Sequence, residues 1–128
     1  MGYIPDTTYR KRASNINGLV VGNTIVFRTE DNRGRFIIQR IRLVTKTITG
    51  TGVLPTINVG WTSTGYTDAI NSYVMTQLIV NANELLTLIT NVPSAPPSND
   101  IIVRVATAGT LYTAITFDIY IEGFYENN

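Results

Sequence analysis

Histidine and cysteine are both missing from the 128 residues. Without cysteine there are no disulfides and no thiolate metal sites. Without histidine the commonest general base is gone, and with it the usual serine triad and zinc sites of ordinary composition. Charge is scarce as well, at 15% of residues against about a quarter in an average domain. Lysine occurs twice and glutamate four times, so the usual surface filling of a helix is lacking. Thr, Asn, Ser and Gly take its place, and these favour strands and turns. No apolar run approaches the roughly 18 residues of a membrane-spanning helix. No basic segment followed by an apolar run opens the chain, so no secretory signal is expected.

What is present describes one domain. A chain of this length with 44% hydrophobic residues builds a single core, and two halves would each be too small. Net charge is +1 but unevenly distributed: residues 1–64 carry nine basic and three acidic side chains, residues 65–128 one basic and six acidic. Interleaved strands would neutralise the two halves internally. Complementary surfaces meeting between subunits is the alternative.

Residues 1–18, MGYIPDTTYRKRASNING, hold no sustained period and end in an Asn17-Gly18 turn signal, so they read as an N-terminal arm. Residues 19–128 read as the folded domain. Thr24–Glu30 and Arg35–Thr47 are strands flanking Asp31-Asn32-Arg33-Gly34, a hairpin loop by its composition. In the second of these, Ile37, Ile41 and Leu43 share one face, and Arg40, Arg42 and Lys46 form a basic stripe on the other. Gly50-Thr51-Gly52 reads as a break, followed by a strand at Thr56–Thr62 with the single Trp61, a core residue by default and a sugar-stacking platform with Tyr66 otherwise. Between Tyr66 and Val80, Ile70, Val74 and Leu78 recur at helical spacing, which allows a short helix at Asp68–Ser72 or a strand at Thr76–Val80. Glu84–Thr90 is a further strand, and the proline-rich Val92–Asn99 is irregular. Ile101–Val105 alternates, and Ala114–Gly123 alternates most cleanly, with Ile115, Phe117, Ile119 and Ile121 on one side. Seven or eight strands with turn signals every 8–12 residues make an all-β antiparallel sandwich, jelly-roll-like in its strand count.

Chemistry is hard to assemble from these residues. Asp118 and Glu122 share a strand face four residues apart, roughly 13 Å by strand rise, whereas paired catalytic carboxylates stand about 5–9.5 Å apart. Asp31-Asn32 and Ser98-Asn99-Asp100 offer calcium-type oxygens, but turn preference explains both. The expectation is therefore a non-enzymatic protein with no cofactor and no metal. Two basic groups, Arg10-Lys11-Arg12 and the Arg40/Arg42 stripe, have the charge to meet nucleic acid. The near-zero net charge and the lack of alternating aromatics speak against that partner.

Three segments carry a resemblance: FIIQRIRLVTKTITGTGVLPTINVGW, NDIIVRVATAGT and TFDIYIEGFYEN. In their pattern they resemble small β-sandwich virion proteins of tailed bacteriophages, above all capsid decoration (cement) proteins, and the related jelly-roll heads of phage fibres. The resemblance implies a homo-oligomer, often a trimer, that docks on an icosahedral shell and contacts the major capsid protein or another virion protein. It transfers no catalytic residue. On this reading Tyr3, Ile4 and Tyr9 would be apolar anchors, and Arg10, Lys11, Arg12, Arg40 and Arg42 would face an acidic surface. A receptor- or glycan-binding fibre head is the alternative, for which 18 residues without heptads make a poor stalk.

Overall fold

A computed structural model describes residues 8–90 and 93–127. The described residues form nine strands: β1 (Tyr9–Asn17), β2 (Gly22–Arg28), β3 (Phe36–Val53), β4 (Thr56–Gly60), β5 (Ile70–Val74), β6 (Asn83–Leu85), β7 (Ser94–Ala95), β8 (Asp100–Thr107) and β9 (Thr110–Tyr125). They form two antiparallel sheets, and the described residues contain no helix. One sheet runs β1-β9-β3-β6, with β7 also pairing β3; the other runs β2-β8-β4-β5. The chain changes sheet at every connection except β4–β5 and β6–β7.

Period-2 patterning explains the core. Ile115, Phe117, Ile119 and Ile121 of β9 meet Ile101, Val103 and Val105 of β8, with Ile57 and Val59 of β4 beside them, all at most 1% exposed. The expected core residues Ile41, Leu43, Ile101, Val103, Val105, Phe117, Ile119 and Ile121 are all buried. Ile37 is not, and Ile38 with Phe36 is buried in its stead. The cause is a bulge: Ile38 pairs Gly123 but Arg40 pairs Glu122, so Gln39 is an extra residue that reverses the parity of β3.

Several local expectations are corrected by long-range pairing. Tyr9–Asn17 lies in a sheet and not in an arm; its inward positions are Tyr9, Lys11, Ala13 and then Ile16, because a bulge between Ala13 and Ile16 shifts the parity. Asn15 in that bulge is left-handed (φ 55), and its N–H donates to Asp118 Oδ1 at 2.9 Å. The Asp31–Gly34 loop is no hairpin, since β2 pairs β8 and β3 pairs β9 in the other sheet. A turn-rich loop serves an inter-sheet corner equally well. Gly50 does not end β3 but sits at a further bulge with φ +100, and the strand continues to Val53. The residues at helical spacing are strand and loop: β5 pairs β4, with Ile70 buried and Val74 and Leu78 exposed. The strand expected over Glu84–Thr90 stops at Leu85, after which Leu86 N–H bonds Ile41 O and Ile89 N–H bonds Ala69 O. The proline segment also contributes two paired residues, Ser94 and Ala95, against Ile37 and Phe36.

Part of the charge asymmetry resolves inside the domain. Arg28 pairs Asp100 at 3.3 Å, and Arg40 and Arg42 pair Glu122 at 3.0 Å, each joining a first-half base to a second-half acid. Interleaving of the strands brings these partners together.

Candidate functional site

The strand order unites two basic groups that are separate in sequence. β9 lies between β1 and β3, and its outward residues are Asp118, Tyr120 and Glu122. Arg10 stands opposite Glu122 and Arg12 opposite Tyr120 on one side. Arg40 stands opposite Glu122 and Arg42 opposite Tyr120 on the other. Four guanidinium groups therefore surround two side chains on the outer face of one sheet.

Tyr120 is held between two of them, with Arg10 4.8 Å and Arg42 4.7 Å from its ring centroid. Each such contact contributes about 0.5–1 kcal/mol where exposed and fixes the guanidinium plane. A side-chain hydrogen bond with Tyr120 raises the Arg12 pKa. Glu122 Oε1 accepts from Arg40 Nε and Arg42 Nε, both at 3.0 Å, and Oε2 accepts from Arg40 Nη2 at 3.2 Å. Arg42 Nη1 donates to Asn83 Oδ1 at 2.8 Å. No carboxylate among the described residues pairs with Arg10 or Arg12. Beside Arg40, Gln39, Leu85, Leu86, Leu88 and Thr90 line a shallow depression of about 310 Å³.

Burial is the largest influence on Glu122 and raises its pKa, but the hydrogen bonds and charges of Arg40 and Arg42 together outweigh it and leave the carboxyl below its usual range. A carboxylate lowered on folding stabilises the fold above its unfolded pKa, and that contribution disappears as pH falls through the lower folded value. Wild type should therefore exceed Glu122→Gln in stability at neutral pH. The gap should narrow as pH drops from about 5 to about 3. Urea midpoints of both proteins across that range check this, and a gap that widens towards acid would contradict the pairing.

The other expected site residues lie elsewhere. Tyr9 faces inward, edge-on to Tyr125 with centroids 5.4 Å apart, and its hydroxyl accepts from Arg33 at 2.8 Å. It extends the aromatic group of Tyr125, Phe36 and Phe27. Lys11 turns the same way, its Nζ 5.5 Å from the Tyr9 ring and 5.4 Å from that of Phe27. Tyr3 and Ile4 fall outside the described residues. Alternation in the sequence places Tyr120 on the outer face with Asp118 and Glu122, but its role between Arg10 and Arg42 needs the registers of both neighbours.

The acids are engaged structurally. Asp68 accepts from Trp61 N–H, Thr62 N–H and Thr62 Oγ1 at 2.7–2.8 Å, closing the β4–β5 loop. Glu84 is buried and accepts from the Tyr73 hydroxyl and from Thr76 Oγ1 at 2.5 Å, pinning the passage from β5 to β6. Among the described residues no group of three or more acidic side chains is close enough to hold a metal ion. Trp61 is half-buried and packs against the core.

No family pattern matches the sequence, and no curated protein matches it. Among solved structures, a chain of the cyanophage Pam1 capsid asymmetric unit is similar, with a TM-score of 0.60 over 97% of this chain and 89% of that one. Sequence identity is 13%, so the likeness is one of fold.

Proposed function

We propose that this chain is a non-enzymatic virion structural protein, a decoration or cement subunit that binds and stabilises a phage shell. The observation that carries this reading is the likeness, along almost the whole chain, to a chain of a phage capsid asymmetric unit. Two further features support it. The strand orders β1-β9-β3-β6 and β2-β8-β4-β5, in which the chain crosses repeatedly between two antiparallel sheets, support a jelly-roll-like reading, an architecture common in viral capsids. The outer sheet face offers exposed cations on a rigid support of paired strands, suited to a fixed protein surface.

On this reading the major capsid protein or another virion protein is the partner and the virion is the location. Arg10, Arg12, Arg40 and Arg42 meet an acidic patch, and the segment before β1, with Tyr3 and Ile4, adds apolar contacts. The subunits assemble as a trimer. Val20, Val53 and Leu111, exposed by 57%, 61% and 82%, supply apolar surface for contacts between copies.

Co-sedimentation with undecorated capsids tests the docking. Wild type should saturate the shells. Arg10→Glu with Arg12→Glu should weaken binding at least tenfold and reduce its salt dependence. Deleting residues 1–7 should weaken it while leaving the sandwich folded, because that cut spares β1. Wild-type protein that stays in the supernatant would overturn the reading. Light scattering that returns a monomer at tens of micromolar would count against the trimer.

A further inference from the structure

We propose that the free edge of β1 receives an extended acidic segment of a partner protein, added to the sheet as a further strand. This names the partner chemistry of the face assigned above, and it rests on that face being an interface. The first ground is the backbone. Tyr9–Ala13 pairs β9 on one side, and among the described residues makes no other backbone hydrogen bond. Such an edge presents a row of unpaired N–H and C=O groups. The regular stretch is five residues long before the Ala13–Ile16 bulge ends it, or about 17 Å of template. It contains no proline and no glycine.

The other edges are shorter or more interrupted. On the far side of the same sheet, β6 and β7 are three and two residues long. Between and beside them the β3 edge is occupied as far as Thr45 by loop bonds from Ile38 N–H to Pro93 O, Leu86 N–H to Ile41 O and Asn81 N–H to Thr45 O. Past Thr45 the strand is broken by register shifts at Thr45–Thr47, Thr49–Gly50 and Gly50–Val53. In the second sheet β2 carries a bulge between Ile25 and Phe27. β5 is five residues long, with Ser72 left-handed at φ 55. Among the described residues β1 keeps the longest straight run of open edge backbone, Tyr9–Ala13, against Gly22–Ile25 in β2.

The second ground is charge. Glu122 neutralises Arg40 and Arg42, whereas Arg10, Lys11 and Arg12 make no ion pair among the described residues, and Asp118 acts on Arg12 only through a weaker charge interaction. In an added strand, side chains opposite these positions lie about 4.5–5.5 Å away. A second copy of β1 would set arginine and lysine against arginine and lysine, which is destabilising. A segment with Asp or Glu at every second position would set carboxylates against Arg10 and Arg12 on the outer face. Nucleic acid would meet the charge, but it has no alternating amide and carbonyl row to complete the ladder. The fit is to an acidic strand, by the addition mode that gives affinity through the main chain and specificity through alternate side chains.

The probes are the capped peptide Thr-Glu-Val-Glu-Val-Glu-Thr, its Lys-for-Glu counterpart, the Glu peptide N-methylated at alternate residues, and a single-stranded 12-mer DNA. Affinity is read by fluorescence anisotropy, and protection by amide exchange in the full chain. The Glu peptide should bind and slow exchange in Tyr9–Ala13 at least tenfold. N-methylation, which keeps the charge but removes the ladder, should weaken binding at least tenfold. Arg10→Glu with Arg12→Glu should reverse the preference towards the Lys peptide. Equal binding of the methylated peptide, tighter binding of the DNA, or unchanged β1 exchange would each overturn the proposal. So would β1 amides already protected in the free protein, by residues 1–7 or by a second copy in a concentration-dependent way. Wild-type protein that binds shells but not the Glu peptide defeats this inference alone; failure to bind shells defeats the docking function, whatever the peptide does.

Discussion

Phe117→Ala is expected to remove about 3–5 kcal/mol of stability, because a fully buried phenyl leaves a cavity that its surroundings cannot refill. Phe117 is 0% exposed in the middle of β9, between Ile16 of β1 and Thr45 of β3. Both neighbours are fixed: Ile16 follows the β1 bulge, and Thr45 Oγ1 donates to Gln77 O at 3.1 Å. With strands paired on both sides, β9 has little freedom to collapse inward. For a domain whose total stability is about 5–15 kcal/mol, the loss is about a fifth or more. Leu111→Ala is the control, a large apolar residue on the same strand but 82% exposed, expected to change stability by less than about 0.5 kcal/mol. Urea unfolding followed by Trp61 fluorescence reads both. A Phe117→Ala loss below about 1 kcal/mol would mean that the inward face of β9 is misassigned.

That face was legible in the sequence, and the reason is instructive. From Ile115 to Ile121, β9 runs without a bulge, so alternation by twos maps directly onto inside and outside. β3 has bulges at Gln39 and Lys46, and β1 has one at Asn15. At each the parity reverses, which exchanged Ile37 for Ile38 and made Tyr9–Asn17 look aperiodic. The Asp31–Gly34 loop misled for another reason. Its composition reports that the chain turns, but whether it returns to the same sheet depends on β8, some 70 residues away. The candidate site shares this property. The Arg40/Arg42 stripe was visible within one strand. Its meeting with Arg10 and Arg12 across Tyr120 and Glu122 depends on two registers among three segments, which no local window contains. Charge totals in the two halves pointed to that pairing without naming the partners.

The same bulge in β3 makes glycine obligatory opposite it. Gly123→Ala is expected to destabilise by about 1–3 kcal/mol or more, the range for forcing extra atoms into a packed interior. Gly123 pairs Tyr9 on one side and Ile38 on the other, at the point where Gln39 is the extra residue. A Cβ there would overlap the Ile37 carbonyl oxygen and stand 2.9 Å from Phe36 Cε2. Neither can yield easily: the carbonyl belongs to the backbone at the bulge, and Phe36 is 0% exposed in the aromatic group with Tyr125 and Phe27. The relief open to the chain is for β9 to move away from β3, which would loosen the Arg40 and Arg42 contacts with the adjacent Glu122. Amide exchange at Ile38 and Gly123 should accelerate along with the loss of stability. Gly22 in β2 provides the opposite case, since a Cβ there meets nothing within 4 Å and its φ is not left-handed. Gly22→Ala should stabilise by about 0.4–1 kcal/mol, through the smaller conformational freedom of the unfolded chain. Urea midpoints should therefore move in opposite directions for the two substitutions. A shared direction would mean that the close approach of β3 and β9 at the bulge is not what requires glycine at position 123.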